Sequence, residues 1–159
     1  MDIETVIELV ESEIGRYREW APEWAPVGPT PEMRERLSPL YEDKERAWIL
    51  LALAADEAVG VVSLSTVTGA DARVPPDGTV YLWQMFARRD WQGTGLAGAL
   101  LDRLLEEARR RGYERIVLWT PAGAAQARRF YEREGFELTG EEDPDSKFGL
   151  PLVQYGREI

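Results

Sequence analysis

A chain of 159 residues with 44% hydrophobic content is long enough to bury a core of its own, and no apolar run reaches the length that spans a bilayer. Cysteine and histidine are both absent, which excludes disulfides, cysteine nucleophiles, thiolate zinc sites, histidine bases and the serine–histidine triad together. Nineteen basic residues against twenty-nine acidic ones give a net charge of −10, a balance that repels nucleic acid and anionic membrane. The amino terminus, MDIETVIELVESEIGRY, is acidic and amphipathic, whereas a secretion signal has a basic start and an unbroken apolar stretch. One cytoplasmic domain over residues 1–159 is the expectation.

From Glu4 to Tyr17 the apolar residues Val6, Ile7, Val10, Ile14 and Tyr17 recur at helical spacing and predict a helix ending near Trp20. EWAPEWAPVGPTPEM then carries Pro22, Pro26, Pro29 and Pro31 and reads as a loop. Thr30 before Pro31 has the form of a helix cap with proline at the first helical position, so a short helix is expected toward Leu40 or Tyr41. Trp48–Ala54 and Ala58–Thr66 form an expected hairpin about Ala55, Asp56 and Glu57. A polar segment from Gly69 to Gly78 leads into a third strand, Thr79–Ala87, giving three successive antiparallel strands. Leu96, Leu100, Leu101, Leu104, Leu105 and Ala108 line one face of a helix that Arg109, Arg110 and Arg111 complement at its carboxyl end and Gly112 terminates. Beyond it come a strand from Arg115 to Trp119, a helix capped by Thr120 and Pro121 that runs to Glu134, and two strands, Phe136–Gly140 and Leu150–Arg157, joined by the acidic segment EEDPDSK. The order is that of an α/β fold with a mixed sheet.

Gly93, Gly95 and Gly98 in RRDWQGTGLAGALL spell G-x-G-x-x-G, the literal form of a dinucleotide-binding fingerprint. A dinucleotide fold places those glycines directly after its first strand and an acidic residue about twenty positions later. Here Arg88, Arg89, Asp90, Trp91 and Gln92 intervene, the upstream strands are antiparallel, and the next strand ends IVLWTP with no carboxylate at its tip. What remains is a glycine turn opening a helix, where unpaired first-turn N–H groups and the helix dipole favour a phosphate and small residues let it approach. A purely structural turn fits the same glycines.

MFARRDWQGTGLAGALL resembles the acetyl-coenzyme A signature of the GNAT N-acetyltransferase superfamily, Q/R-x-x-G-x-G/A, through Gln92, Gly95 and Ala97. AAQARRFYEREGFELTGE is similar to the family's second motif through Ala127, Tyr131, Gly135 and Phe136. The resemblance covers roughly residues 47–157. It implies a mixed, mostly antiparallel central sheet flanked by helices, with two strands splayed at a cofactor notch. It implies further that Met85, Phe86 and Ala87 hold the pantetheine arm through their main chain, and that Gln92, Gly93, Thr94, Gly95, Leu96, Ala97 and Gly98 hold the pyrophosphate. Tyr131 then matches the tyrosine that protonates the departing thiolate, although its place on a buried helical stripe equally suits a core aromatic.

Some positions depart from the family's pattern. Ala124 stands where asparagine is usual, the glutamate many relatives carry falls at Tyr81 or Leu82, and no first strand precedes the first helix, which reads as a trimmed amino terminus. The resemblance places the acceptor between the tryptophan-proline loop and the acidic segment. Trp20, Trp24, Tyr81 and Trp83 are the candidate acceptor contacts, and Trp20 and Trp24, each preceded by a glutamate, suit an ammonium group or simply anchor the loop. Glu141, Glu142, Asp143 and Asp145 add negative charge that favours a cationic amine. The implied function is acetyl transfer from acetyl-coenzyme A to the primary amine of a small molecule by direct attack in a ternary complex. No metal, nucleic-acid or membrane partner is expected, and a homodimer is left open. A catalytically silent acyl-coenzyme A binding module, motivated by the missing base, and a nicotinamide-linked enzyme are the competing readings.

Overall fold

Alternation along one strand explains how the helices divide between two layers. The computed structural model describes residues 2–24, 31–67 and 73–159; the side chains at 32, 33, 36, 37 and 40 are outside that description. So are Pro26, Pro29, the expected cap Thr30 and the start of the segment from Gly69. The elements in chain order are α1 (Ile3–Gly15), a 3-10 turn (Arg16–Glu19), α2 (Pro31–Glu42), β1 (Ala47–Ala54), β2 (Glu57–Ser65), β3 (Thr79–Ala87), a second 3-10 turn (Arg89–Trp91), α3 (Leu96–Arg110), β4 (Arg115–Pro121), α4 (Ala125–Arg133), β5 (Glu137–Asp143) and β6 (Leu152–Glu158). On β2, Val62 and Leu64 point to one face of the sheet and Val61 to the other, as the two-residue period of a strand requires. On the first face Leu100, Leu101, Leu104, Leu105 and Ala108 of α3, with Tyr131 of α4, close over Val80, Leu82, Ile116, Leu118 and Tyr155. On the second face Val6, Leu9 and Val10 of α1 cover Val61. Each such fully buried aliphatic side chain stabilises the fold by roughly 1.5–3 kcal/mol before entropy is counted. Gly60 allows the close seat of α3, since a Cβ there would meet Leu100 Cδ1 at 2.9 Å.

The six strands lie in the order β1-β2-β3-β4-β6-β5. Only the central pair, β3 and β4, is parallel. That pair holds register over Thr79↔Arg115, Val80↔Ile116 and Tyr81↔Val117 and then parts, although β3 continues to Ala87 and β4 to Pro121. The sheet is mixed, mostly antiparallel and flanked by helices, as the resemblance implies, and it is split at its centre. The β1–β2 hairpin turns on two residues, Ala55 (φ 50°) and Asp56 (φ 67°), both left-handed. This is the turn whose twist matches the strands beside it.

The first helix gives way to the 3-10 turn at Gly15 before it reaches Trp20, and the last strand begins at Leu152. Two further differences change the kind of element. Thr120 and Pro121 do not cap α4; they extend β4, opposite Val153 and Leu152, and α4 begins at Ala125 with no side-chain cap. The Ala122 N–H donates to Pro151 O at 2.8 Å, so the neighbouring Pro121 nitrogen faces the parted side of β4, where proline forfeits no ladder bond. Glu141, Glu142 and Asp143 belong to β5, which Gly140 (φ 92°) bends around a bulge instead of ending it.

Candidate active site

After Tyr81 the edge of β3 that faces β4 carries no ladder partner, so the main chain of Met85, Phe86 and Ala87 is paired to β2 on one side only. Beyond this free edge the chain makes its second 3-10 turn and reaches the glycines. Gly93 (φ 76°) and Gly95 (φ 88°) adopt the left-handed conformation that L side chains avoid, and Gly95 is the N-cap of α3 without a side-chain cap bond. No acidic residue stands in the first turn of α3. A Cβ built at Gly93, Gly95 or Gly98 meets nothing within 4 Å, so these positions open onto free space. The Thr94 hydroxyl donates to Trp91 O and accepts weakly from the Leu96 N–H at 3.4 Å, which shapes the turn and leaves the helix end facing outward. Leu96 itself packs against the core beside Met85. Such an end, with unpaired N–H groups and the positive pole of the dipole, suits an anion. The structure thus brings Met85–Ala87 and Gln92–Gly98 together along one side of the parting.

Across the parting, Gln126 in the first turn of α4 donates from Nε2 to Gln92 Oε1 at 3.1 Å. Tyr131, five residues on, is 8% exposed, with the rings of Phe130, Phe136 and Tyr155 between 5.6 and 6.3 Å away. Burial, and then the nearby Tyr17, push its phenol well above the ordinary range. α4 is fixed by Arg128, which donates to Ala122 O at 2.8 Å and to the Tyr155 hydroxyl at 2.9 Å, while that hydroxyl donates to Glu132 at 2.7 Å.

The second face of the sheet supplies the other wall. Trp20 is 40% exposed, and its ring lies on Gly123, where a Cβ would come within 2.8 Å of Cζ3. Trp24 is buried, and its Nε1 donates to Phe148 O at 2.9 Å, so it ties the loop after α1 to the loop before β6. Tyr81 is buried beside the last β3–β4 pair, and Trp83 packs 5.6 Å from the ring of Tyr41, whose hydroxyl donates to Gln84 Oε1 at 2.9 Å. The carboxylates of the acidic segment are not gathered over this wall: Glu141 and Glu142 are exposed on the edge strand, and Asp143 pairs with Arg73 at 3.1 Å, whose guanidinium lies 5.6 Å over the ring of Trp119.

Sequence reasoning missed several groups here. Glu13, buried on α1, pairs with Arg16 at 2.6 Å; Arg16 approaches Glu19 at 3.7 Å; Glu19 receives both oxygens' bonds from Arg89 at 2.7 and 2.8 Å. This string runs from the α1 layer to the loop before the glycines. Tyr17, on the 3-10 turn, was read only as the last residue of a buried stripe. Its ring is 5.3 Å from Trp20, 5.7 Å from Trp24 and 6.3 Å from Phe148. The i, i+3 spacing of Glu13, Arg16 and Glu19 was visible in the sequence, but their partner Arg89 lies 70 residues on. Among the described residues no cluster of three or more acidic side chains could hold a metal ion, and no helix is long and apolar enough to cross a membrane.

The model of the acetyltransferase (GNAT) family matches residues 14–136. A mycothiol acetyltransferase of Beutenbergia cavernae is 38% identical over 79 residues, 50% of this chain and 26% of that protein, so the chain matches about a quarter of that relative's length. Among solved structures, the PaiA N-acetyltransferase of Thermoplasma acidophilum in complex with coenzyme A superposes with a TM-score of 0.72 at 14% identity, over 99% of this chain and 93% of the other. A probable acetyltransferase of Staphylococcus epidermidis gives the same TM-score, 0.72, at 17% identity, over 99% and 93%. These two likenesses are likenesses of fold.

Proposed function

The chain belongs to the acetyltransferase (GNAT) family, and from that premise we propose that it transfers an acetyl group from acetyl-coenzyme A to the primary amine of a small molecule by direct attack. The observation that carries this reading is the parting of β3 and β4 after Tyr81 and Val117, beside a glycine turn that opens α3. In the proposed complex the N–H groups of Gly93–Gly98 face the pyrophosphate, supported by the empty space at all three glycines. The free edge of Met85, Phe86 and Ala87 pairs with the amides of the pantetheine arm as a further strand would. The thioester then lies in the parting, where Tyr131 donates toward the leaving sulfur. Trp20, with Tyr81 and Trp83 behind it, lines the acceptor side, while Trp24 contributes by anchoring the loop that carries Trp20.

Neither Tyr81 nor Leu82 offers a carboxylate base, which favours an acceptor that loses its proton to water and keeps the silent binding module as the competing reading. Release of free thiol from acetyl-coenzyme A, measured against a panel of diamines, amino alcohols and amino acids, separates the two. Amine-dependent release supports transfer. Binding of acetyl-coenzyme A with no release for any amine supports the module, and absence of binding removes both.

A further inference from the structure

Tyr17 and Tyr131 belong to opposite layers of the molecule. Tyr131 sits on α4 in the core shared with α3, and Tyr17 follows α1 on the other face of the sheet. An unbroken sheet would stand between them, but β3 and β4 part after Tyr81 and Val117. The rings around Tyr17 show where the two layers meet. Trp20, 5.3 Å from Tyr17, lies on Gly123 in the connection from β4 to α4, so the 3-10 turn reaches the end of β4 that has parted from β3. Trp24, 5.7 Å away and bonded to Phe148 O, closes the outer side.

The chemistry of the two hydroxyls agrees with that placement. Among the described residues the fully enclosed polar atoms without a partner are Arg16 Nε, Ser63 Oγ and Trp119 Nε1. The hydroxyls of Tyr17 and Tyr131 make no hydrogen bond to the described residues, so the donor of each is uncommitted among them. Burial, and then Glu13, push Tyr17 up to about 12, so it is a hydrogen-bond donor throughout the neutral range.

We propose that Tyr17 is a second catalytic residue, whose hydroxyl donates a hydrogen bond to the thioester carbonyl oxygen from the face opposite Tyr131. The proposal rests on the acetyl-transfer reading above. The amine lone pair forms the new C–N bond as the carbonyl π pair moves onto oxygen, and the Tyr17 O–H stabilises that charge while keeping its proton. The pair then returns to carbon, the C–S bond breaks with its electrons on sulfur, the Tyr131 O–H donates a hydrogen bond to the departing thiolate, and the proton lost by the ammonium passes through water to the sulfur.

The test compares wild-type protein with Tyr17→Phe, which keeps the ring and removes one oxygen that bonds to none of the described residues. Loss of an oxyanion donor predicts a fall in kcat of about a hundredfold to a thousandfold. The KM for the amine and the affinity for coenzyme A by calorimetry stay within about threefold of wild type, because the hydroxyl contributes only as charge develops. An active wild type matched by an equally active Tyr17→Phe overturns the proposal alone. A variant that no longer binds coenzyme A assigns Tyr17 to the fold and also overturns it. A wild type that releases no thiol with any amine removes the acetyl-transfer reading and this proposal with it.

Discussion

Tyr131 shows how one environment sets both the presence and the strength of an acid. Its ring is packed among Phe130, Phe136 and Tyr155, and burial is the main reason its phenol stays protonated far above neutrality. A well-matched general acid contributes about 10²–10⁴ in rate, with its pKa near the working pH. A phenol raised this far is a poor match, and it aids the departing thiolate chiefly as a hydrogen-bond donor. Tyr131→Phe is therefore expected to lower kcat by about tenfold to a hundredfold, at or below the lower limit of that range, with coenzyme A affinity unchanged. Because a raised phenol is lost only as pH climbs through its folded value, neither Tyr131 nor Tyr17 introduces a falling limb in the rate between pH 7 and about 10. Steady-state thiol release over that range checks both statements.

At the scale of elements, α3 carries the proposed anion site at one end and a fastening at the other. Glu107 accepts from Arg110 at 2.6 and 2.8 Å and from Arg111 at 2.7 Å, and Arg111 reaches on to Glu45 O at 3.3 Å, beside the start of β1. The Arg110 hydrogen bonds, followed by those of Arg111, outweigh burial and lower the Glu107 carboxyl from 4.5 to about 2. A carboxyl whose folded value is depressed stabilises the fold above its unfolded value and loses that contribution as pH falls through the folded one. Glu107→Gln should lower the unfolding midpoint by roughly 2–4 °C at pH 7, with the deficit shrinking between about pH 5 and pH 2, as followed by circular dichroism. α3 was legible in the sequence because its apolar period, glycine entry and arginine end all agree. The start of α4 was not, since Thr120-Pro121 satisfies a helix entry and a strand end equally well, and only the parting beside β4 decides between them. The acidic segment misled for a related reason: Gly140 marks a bulge that lets β5 continue through Glu142, whereas composition alone suggested a loop.

Across the whole molecule, the split between β3 and β4 is what opens the sheet at the proposed site. It frees a strand edge beside the mouth of α3, and it lets residues of opposite layers face one another. The glycine turn was readable because Gln92–Gly98 is a continuous stretch whose local geometry follows from its glycines. The proposed pairing of Tyr17 with Tyr131 was not readable, since 114 positions separate them and it depends on where a three-residue parallel ladder ends. The same holds for the string from Glu13 to Arg89, which joins the end of α1 to the turn before the glycines. The most direct test of the central claim, that the open end of α3 holds the coenzyme A pyrophosphate, is calorimetric titration of coenzyme A into wild-type protein and Gly98→Glu. Gly98 is helical, lies in the first turn of α3 and has nothing within 4 Å of an added Cβ. A glutamate there improves helix propensity and meets the dipole favourably, so the variant should unfold at a temperature roughly 2–4 °C higher. Its carboxylate nonetheless occupies the place of the anion, and like charges a few ångströms apart at a protein surface cost enough to weaken coenzyme A binding by about tenfold to a hundredfold. A protein that is stabilised yet loses its ligand is the predicted result; a stabilised protein that binds coenzyme A as tightly as wild type would contradict the account.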